Sequence, residues 1–319
     1  MLQPVITEAS WYGMNTYIIC KAIGGKSEGA VVEAETEIAR LERKLSRFLP
    51  DSEISKINLY AGIGNLKIST ETYEVLSYAI RLSEMTDGLF DITIAPLVDL
   101  WSDTHFSDIP SRMKIQKNMN KICFRDLILH PVNRTAGLRR SGQSIDLGGI
   151  GKGYAGDRCM RIFERTGVSS AYLNLGGNVS TLGNKPDNTP WSVGIRHPRL
   201  DDCLIGAVKV TGKAVVTSGD YERYFIDRNG NRWHHILNPA TGYPAYKGVV
   251  SVTVVADSAM TADALSTALF VAGGDHFLEY LSKFPGTDAI LVDDHLEIYI
   301  TQGLKDHFQP ADGMNVSII

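Results

Sequence analysis

The residues best suited to chemistry in this chain form a glycine-rich stretch, DLGGIGKGYAGD, over positions 146–157. Glycine allows positive φ angles and lets a ligand approach the main chain closely. A turn of this kind that opens into a helix directs free N–H groups and the positive end of the helix dipole at one point. Lys152 adds a positive charge, and Asp146 at the rim could hold a hydroxyl, an amine or a metal-bound water. The stretch predicts a phosphate site, although it is also typical of a strand-to-helix turn whose glycines only permit close packing.

A second candidate is the pair Asp263 and Thr267 in the segment MTADALSTA. Residues four apart in a helix lie on the same face, so both side chains would point to one site. Carboxylate and hydroxyl oxygens are hard ligands that suit Mg²⁺ when waters and phosphate oxygens complete the octahedron. The alternative is that Asp263 only serves the helix N-terminus and Thr267 only packs.

A third candidate is a histidine beside a Pro/Gly turn, in the segment HHILNPATG. Neighbouring side chains in a strand point to opposite faces, so only one of His234 and His235 can face a given site. Histidine can act as a general base near neutral pH, but a histidine in a strand is also often structural. The nearby Ser218 offers a nucleophile, yet no G-x-S-x-G motif surrounds it, so a serine hydrolase is the weakest enzyme hypothesis.

Bulk composition excludes several classes of protein. The chain has 44% hydrophobic and 21% charged residues and a net charge of -4, which argues against binding to nucleic acid or to anionic membranes. It contains neither an apolar run long enough for a membrane span nor a basic, apolar leader at its start, so we expect a cytoplasmic protein without membrane insertion. The four cysteines are scattered without a C-x-x-C pair, which favours reduced thiols.

Mixed periodicities indicate an α+β fold with mainly antiparallel sheets and flanking helices, in a single domain over residues 1–319. Helices are predicted at 29–49 with Val32 on the buried face, at 70–86 with a Ser69 or Thr70 cap, at 154–166 and at 259–271. Strands are predicted at 11–22, 191–197, 203–210 and 249–256. Two more, at 214–218 and 221–226, should continue the sheet of the 191–210 strands, and Asn229-Gly230 marks a hairpin turn.

Several short motifs occur in an order that resembles the ApbE family, the FAD:protein FMN transferases. They are GMNT at 13–16, SRFLPDS at 46–52, TDGLFDIT at 86–93, DLGGIGKGY at 146–154, TSG at 217–219, HILNPATG at 235–242, and ADA at 262–264 with Thr267. The resemblance covers roughly residues 10–275, and the C-terminal remainder is expected to belong to the same globule.

The resemblance implies a Mg²⁺-dependent enzyme that splits the pyrophosphate of FAD, transfers FMN to a Thr or Ser hydroxyl of an acceptor flavoprotein, and releases AMP. The acceptor would carry a motif ending in Ser/Thr-Gly-Ala. His235 would be the base for the acceptor hydroxyl, and Lys152 would neutralise phosphate charge. The resemblance assigns contacts with FAD to Met14, Phe48, Leu89, Phe90, Asp91, Asp146, Lys152 and Leu237. It assigns the Mg²⁺ ligands to Asp263, Thr267 and the backbone carbonyl of Gly149.

Two features of the chain depart from the family pattern. Phe48 stands where the family often has Tyr, which keeps an aromatic ring but removes a phenolic hydrogen bond. The family is commonly exported, whereas Cys20 lies in a strand-like run and not in a lipobox. Two other functions also fit the motifs: a Mg²⁺-dependent FAD pyrophosphatase that uses water as nucleophile, and a non-catalytic flavin-binding protein.

Overall fold

The computed structural model describes residues 5–102 and 109–319. Over these ranges the helices are α1 Ser27–Leu45, α2 Glu53–Leu59, α3 Thr70–Met85, α4 Ala95–Ser102, α5 Arg112–Met119, α6 Gly151–Arg165, α7 Ala259–Ala272 and α8 Phe277–Leu281. The strands are β1 Ile6–Gly13, β2 Thr16–Ile23, β3 Leu66–Lys67, β4 Leu127–His130, β5 Thr135–Leu138, β6 Ser170–Leu175, β7 Asn178–Leu182, β8 Trp191–Arg196, β9 Leu204–Val210, β10 Ala214–Gly219, β11 Tyr224–Ile226, β12 Arg232–His234, β13 Val249–Ala256, β14 Asp288–Asp293, β15 Ile298–Ile300, β16 Phe308–Pro310 and β17 Val316–Ile318. No helix within these ranges combines the length and the hydrophobicity needed to cross a bilayer.

A large sheet forms the centre of the molecule. Nine of the described strands belong to it, in the order β1-β2-β6-β7-β10-β13-β14-β15-β17, and its neighbours are antiparallel except for β15 and β17. Alternation along β10 shows its two faces: Ala214 and Val216 join the hydrophobic cluster under α1, α6 and α7, whereas Val215 joins the cluster with β8 and β9. This architecture confirms the predicted α+β fold with mainly antiparallel sheets and flanking helices.

Several predicted elements are confirmed at or near their ends. Helix α3 begins after Ser69, whose hydroxyl accepts a hydrogen bond from the Thr72 N–H. Strand β13 matches the predicted range, and all of its residues are buried. The Asn-Gly turn joins β11 to β12. The Asp227 carboxylate stabilises this turn by accepting hydrogen bonds from the N–H groups of Asn229 and Asn231, both at 2.9 Å.

The single strand predicted at 11–22 is wrong. The chain reverses at Met14 and Asn15, which both have positive φ angles of 50° and 59°, and β1 pairs with β2 across this turn. Two residues with positive φ are typical of the two-residue turns that match the twist of antiparallel strands. Methionine rarely adopts this conformation. Because neither turn residue is glycine, the sequence pattern does not reveal the turn.

Two further expectations need correction. Strands β10 and β11 do not continue the sheet of β8 and β9: β10 lies in the central sheet, and β11 pairs only with β12 among the described strands. Helix α1 ends at Leu45, before Pro50, because Ser46 is already extended with φ -69° and ψ 130°. Val32 is 60% exposed and therefore lies outside the buried face that Ile38 and Leu41 form.

Helices α6 and α7 pack closely because α6 presents glycine to α7. Helix α6 begins at Gly151, three residues before the predicted start at Tyr154. A Cβ atom on Gly153 would lie 2.2 Å from the backbone oxygen of Ala259 and 2.7 Å from the Asp263 Cβ. One turn further along α6, the Asp157 carboxylate accepts a hydrogen bond from the N–H of the same Ala259 at 2.6 Å, which gives a partner to a free N–H group at the start of α7.

We expect Gly153→Ala to destabilise the protein, because a backbone atom cannot yield as a flexible side chain would. Overpacking of this kind costs about 1–3 kcal/mol or more in the free energy of unfolding, measured by urea denaturation. Gly29→Ala is the matched control: Gly29 lies in α1 with no atom within 4 Å of an added Cβ. The control should stabilise by up to about 1 kcal/mol, and equal effects of the two changes would contradict the close contact.

Candidate active site

The turn before α6 is shaped by the Asp146 carboxylate. Its Oδ1 accepts a hydrogen bond from the Gly148 N–H at 2.7 Å, and its Oδ2 accepts one from the Arg47 guanidinium at 2.8 Å. The Gly151 N–H donates to the Leu147 carbonyl at 2.8 Å, so the helical hydrogen bonding starts inside the glycine stretch. Asp146 therefore fixes the conformation of the turn in addition to any contact it makes with a ligand.

Arg47 is a site residue that the sequence patterns did not single out. Its side chain is only 11% exposed, it bonds to both Asp146 and Asp99, and its guanidinium lies over the Phe48 ring at 5.2 Å. Burial alone lowers the pKa of Arg47, but the hydrogen bonds and charges of the two carboxylates outweigh burial and raise it. Phe48 itself is 81% exposed. A flat ligand ring could therefore stack on Phe48 while Arg47 holds its position.

Asp263 is buried, and its two oxygens have different surroundings. Oδ2 accepts a hydrogen bond from the Gly153 N–H at 2.8 Å, which attaches α7 to α6. Oδ1 has the Lys152 ammonium at 3.9 Å, and the same ammonium donates to the Gly148 carbonyl at 3.2 Å. Oδ1 thus remains available to a cation, with a lysine beside it that can turn to an anionic ligand.

Thr267, one helical turn after Asp263, adjoins Gly149 in the glycine stretch. The Thr267 hydroxyl oxygen lies 3.4 Å from the position that a Cβ atom on Gly149 would occupy. Within residues 5–102 and 109–319, no group of three or more His, Cys, Asp or Glu side chains is placed to hold a metal ion. One carboxylate, one hydroxyl and one backbone carbonyl nevertheless fit Mg²⁺, which prefers hard oxygens and keeps positions for water and phosphate.

The structure separates the roles of the two adjacent histidines. His234 is buried, with Nε2 at 2.8 Å from the Ala245 carbonyl and Nδ1 accepting from the Ile236 N–H at 3.2 Å. Both of its nitrogens are used, so His234 is structural. His235 Nδ1 lies 3.2 Å from the Arg223 carbonyl, and this carbonyl can only accept. Nδ1 therefore carries the proton, which leaves a lone pair on Nε2, for which the described residues provide no partner.

The environment of His235 keeps its imidazole neutral. The pKa is lowered, mainly because surrounding protein atoms disfavour the charged form and further because of the positive charges of Arg223 and Lys152. The side chain is nevertheless exposed to solvent. A neutral, accessible imidazole with a free Nε2 is the arrangement required of a general base.

The hairpin that precedes His235 is held by aromatic side chains. Trp101 lies 5.5 Å from Trp233 and 5.9 Å from Tyr243 between ring centroids, and its Nε1 donates to the Gly242 carbonyl at 2.9 Å. These contacts anchor β11 and β12 to α4. Sequence reasoning missed this cluster, because its members lie far apart in the chain.

The remaining predicted contacts divide into two groups. A side chain on Gly149 would come within 3.2 Å of the Phe90 ring, and one on Gly151 would lie 3.8 Å from the end of Met14, so Phe90 and Met14 adjoin the glycine turn. Phe90 is only 5% exposed and belongs to the hydrophobic core, against which Met14 and Leu89 pack, and Leu237 is buried beside Trp101.

Asp91 is buried, and both of its oxygens serve the local backbone. Oδ1 accepts from the N–H and the hydroxyl of Thr93 at 2.8 and 2.7 Å, and Oδ2 accepts from the Phe124 N–H at 2.9 Å. Burial raises the pKa of Asp91, and these hydrogen bonds oppose that shift. Direct contact with FAD stays a prediction from the sequence for all eight residues: Met14, Phe48, Leu89, Phe90, Asp91, Asp146, Lys152 and Leu237.

Two cavities lie apart from this constellation. One of about 320 Å³ and one of about 250 Å³ share Tyr78 and Arg81 in their walls. Neither is lined by any of the predicted site residues. The candidate site therefore rests on the chemistry of its converging groups and not on cavity size.

Comparison with known proteins gives a consistent result. The model of the ApbE family matches residues 14–291, whereas the motifs suggested about 10–275; the single domain over 1–319 stays a prediction. The FAD:protein FMN transferase of Klebsiella pneumoniae (strain 342) is 34% identical over 277 residues, covering 86% of this chain and 85% of that protein. The one of Treponema pallidum (strain Nichols) is 30% identical over 312 residues, covering 92% and 85%.

A solved structure supports the same relationship. The crystal structure of the ApbE protein of Thermotoga maritima superposes with a TM-score of 0.87 at 33% identity, covering 95% of this chain and 99% of that one. Similarity of this extent in both sequence and fold shows that the chain belongs to the ApbE family.

Proposed function

We propose that this protein is a Mg²⁺-dependent FAD:protein FMN transferase. It would attach FMN through a phosphoester bond to a Thr or Ser of an acceptor flavoprotein with a Ser/Thr-Gly-Ala motif, and release AMP. Membership of the family and the names of the relatives support the reaction class. The observation that carries the proposal is the meeting of Asp263 Oδ1, Lys152 and Thr267 at the glycine turn. The cytoplasmic location stays a prediction from the sequence.

The donor set supports a metal site beside the glycine turn. Asp263, Thr267 and the Gly149 carbonyl would hold Mg²⁺. The ion would neutralise charge on the FAD pyrophosphate and on the AMP leaving group. Because Asp263 is the single carboxylate among these ligands, the Mg²⁺ site would keep a net positive charge that the phosphates of FAD balance.

The protein's own groups would perform the remaining work. Lys152 would turn from Asp263 to a phosphate oxygen, and the exposed Phe48 would bind a flat ring by stacking, whereas Phe90 is buried and would support the glycine turn from the core. His235 Nε2 would take the proton of the acceptor hydroxyl as the hydroxyl oxygen attacks the FMN phosphorus. The bond between that phosphorus and the bridging oxygen breaks, and AMP leaves with the electron pair. One P–O bond forms and one breaks, so no other reactant is required.

A comparison with and without acceptor tests this function. The purified protein is incubated with FAD and Mg²⁺, with or without a flavoprotein that carries the Ser/Thr-Gly-Ala motif. The proposal expects acceptor-dependent AMP release and an acceptor whose mass increases by one FMN. Rapid AMP formation without acceptor would instead establish an FAD pyrophosphatase. No turnover in either case, with flavin bound, would establish a flavin-binding protein.

We expect Lys152→Ala to weaken FAD binding by about 10- to 100-fold, because a hydrogen bond to a charged group contributes about 1.5–3 kcal/mol. Riboflavin has no phosphate, so its affinity should change much less. Flavin fluorescence quenching measures both constants. Lys305→Ala, at an exposed lysine that no proposed contact involves, is the control. Equal losses for FAD and riboflavin would refute a phosphate role for Lys152.

A further inference from the structure

Three hydroxyl groups meet where the end of β10 lies against α7. The Ser218 Oγ is 2.8 Å from the Ser266 Oγ and 3.2 Å from the Thr267 Oγ1. Ser266 is fully buried, while Ser218 and Thr267 are half-buried toward the candidate site. The proposed function gives no role to Ser218, although its hydroxyl adjoins a proposed metal ligand.

The direction of these hydrogen bonds follows from their acceptors. Ser266 donates to the Asp263 carbonyl at 2.9 Å, a carbonyl can only accept, and so the Ser266 proton is committed. The Ser266 oxygen must then accept the Ser218 proton. With its proton directed to Ser266, Ser218 can offer only a lone pair to Thr267.

Thr267 therefore donates its proton to Ser218. Its other acceptor, the Asp263 carbonyl, lies at 3.5 Å, the outer limit of a hydrogen bond, and already receives the Ser266 proton. With its proton directed at Ser218, Thr267 has both lone pairs available for a cation beside Gly149 and Asp263. Reversal of this chain would direct the Ser218 proton at the Thr267 oxygen and occupy one of its lone pairs.

We propose that Ser218 is a positioning residue for the divalent cation: it accepts the Thr267 proton and so orients the Thr267 oxygen as a metal ligand. This inference rests on the metal site of the proposed function. Among the described residues, Ser218 bonds only to hydroxyl groups and to no histidine, lysine or carboxylate that could activate it as a nucleophile. The motif Thr217-Ser218-Gly219 thus supports the metal site and not a hydrolase.

Metal binding by the intact protein tests the proposal without turnover. Mn²⁺ can replace Mg²⁺ at sites with oxygen ligands. The concentration of free Mn²⁺ is measured by electron paramagnetic resonance. We expect Ser218→Ala to weaken Mn²⁺ binding by about 10- to 100-fold, the usual effect of removing a group that orients a metal ligand. Ser218→Thr, which restores the hydroxyl, should recover most of the affinity.

Thr217→Val is the matched control, because Thr217 is the neighbouring residue of β10 and bonds to Thr253 at 2.8 Å on the opposite face. It should leave Mn²⁺ binding unchanged. Saturating Mg²⁺ should also restore the turnover of Ser218→Ala, which it could not do for a lost nucleophile. Mn²⁺ affinity in Ser218→Ala equal to that of the unmodified protein would overturn the inference. Failure of Asp263→Asn to weaken Mn²⁺ binding would instead show that the proposed metal site is wrong.

Discussion

Asp263→Asn should reduce FMN transfer by about 10²- to 10⁴-fold, the effect of losing several kcal/mol of charge stabilisation by a metal ion. Asparagine retains an oxygen that can accept the Gly153 N–H bond, so the contact between α6 and α7 should survive. What is lost is the negative charge that would hold the cation at Oδ1. Transfer of FMN to an acceptor flavoprotein, measured over a range of Mg²⁺ concentrations, gives the result.

Asp257→Asn is the control for this change. Asp257 lies just before α7, its side chain is 81% exposed, and it pairs with Lys213 at the surface. The activity and stability of the Asp257→Asn variant should match those of the unmodified protein. Wild-type activity in Asp263→Asn at low Mg²⁺ would remove the metal assignment. A large loss of thermal stability would mean that Asp263 acts mainly through Gly153.

His235→Ala should slow transfer by about 10²- to 10⁴-fold, the contribution of a positioned general base, and should leave FAD binding intact. His235 is exposed, so added imidazole can reach the space left by its side chain and should restore part of the rate. Single-turnover transfer from bound FAD separates this step from binding. An unchanged rate would mean that another group accepts the proton.

The pH dependence gives an independent check on His235. A base acts in its neutral form, so activity falls as the pH falls through its pKa. Because the pKa of His235 is lowered, this loss should appear below the ordinary histidine value of about 6.5, and the protein should remain active at pH 6. The acidic limb should disappear in His235→Ala. His295→Ala, an exposed histidine with an 85% exposed side chain, should retain it.

Local signals explain what the sequence predicted well. The Ser69 cap, the Asn-Gly hairpin, the buried run of β13 and the helix-favouring alanines and leucines of α7 are each local features of the sequence. The candidate site could be assembled from motifs for a similar reason, because Asp263 and Thr267 share a helical face wherever that helix lies.

Long-range choices were not predictable in this way. Whether β10 pairs with β8 or with β13 depends on register between distant strands, and nothing near Ala214 decides it. The turn at Met14 lacks glycine. The Arg47 bond to Asp146 joins residues 99 positions apart, and Ser218 meets Thr267 across 49 positions. These contacts arise only when the whole sheet and its helices have formed.

The glycine-to-carbonyl contact between α6 and α7 also bears on how the protein is made. Gly153 and Asp263 are separated by 110 residues, so a nascent chain exposes the lysine-bearing turn long before its partner helix leaves the ribosome. Until α7 docks, the Gly153 N–H and the Lys152 ammonium lack the Asp263 carboxylate as a partner. We therefore expect that truncated chains without α7 cannot cleave FAD, and that this activity arises only after α7 has been synthesised.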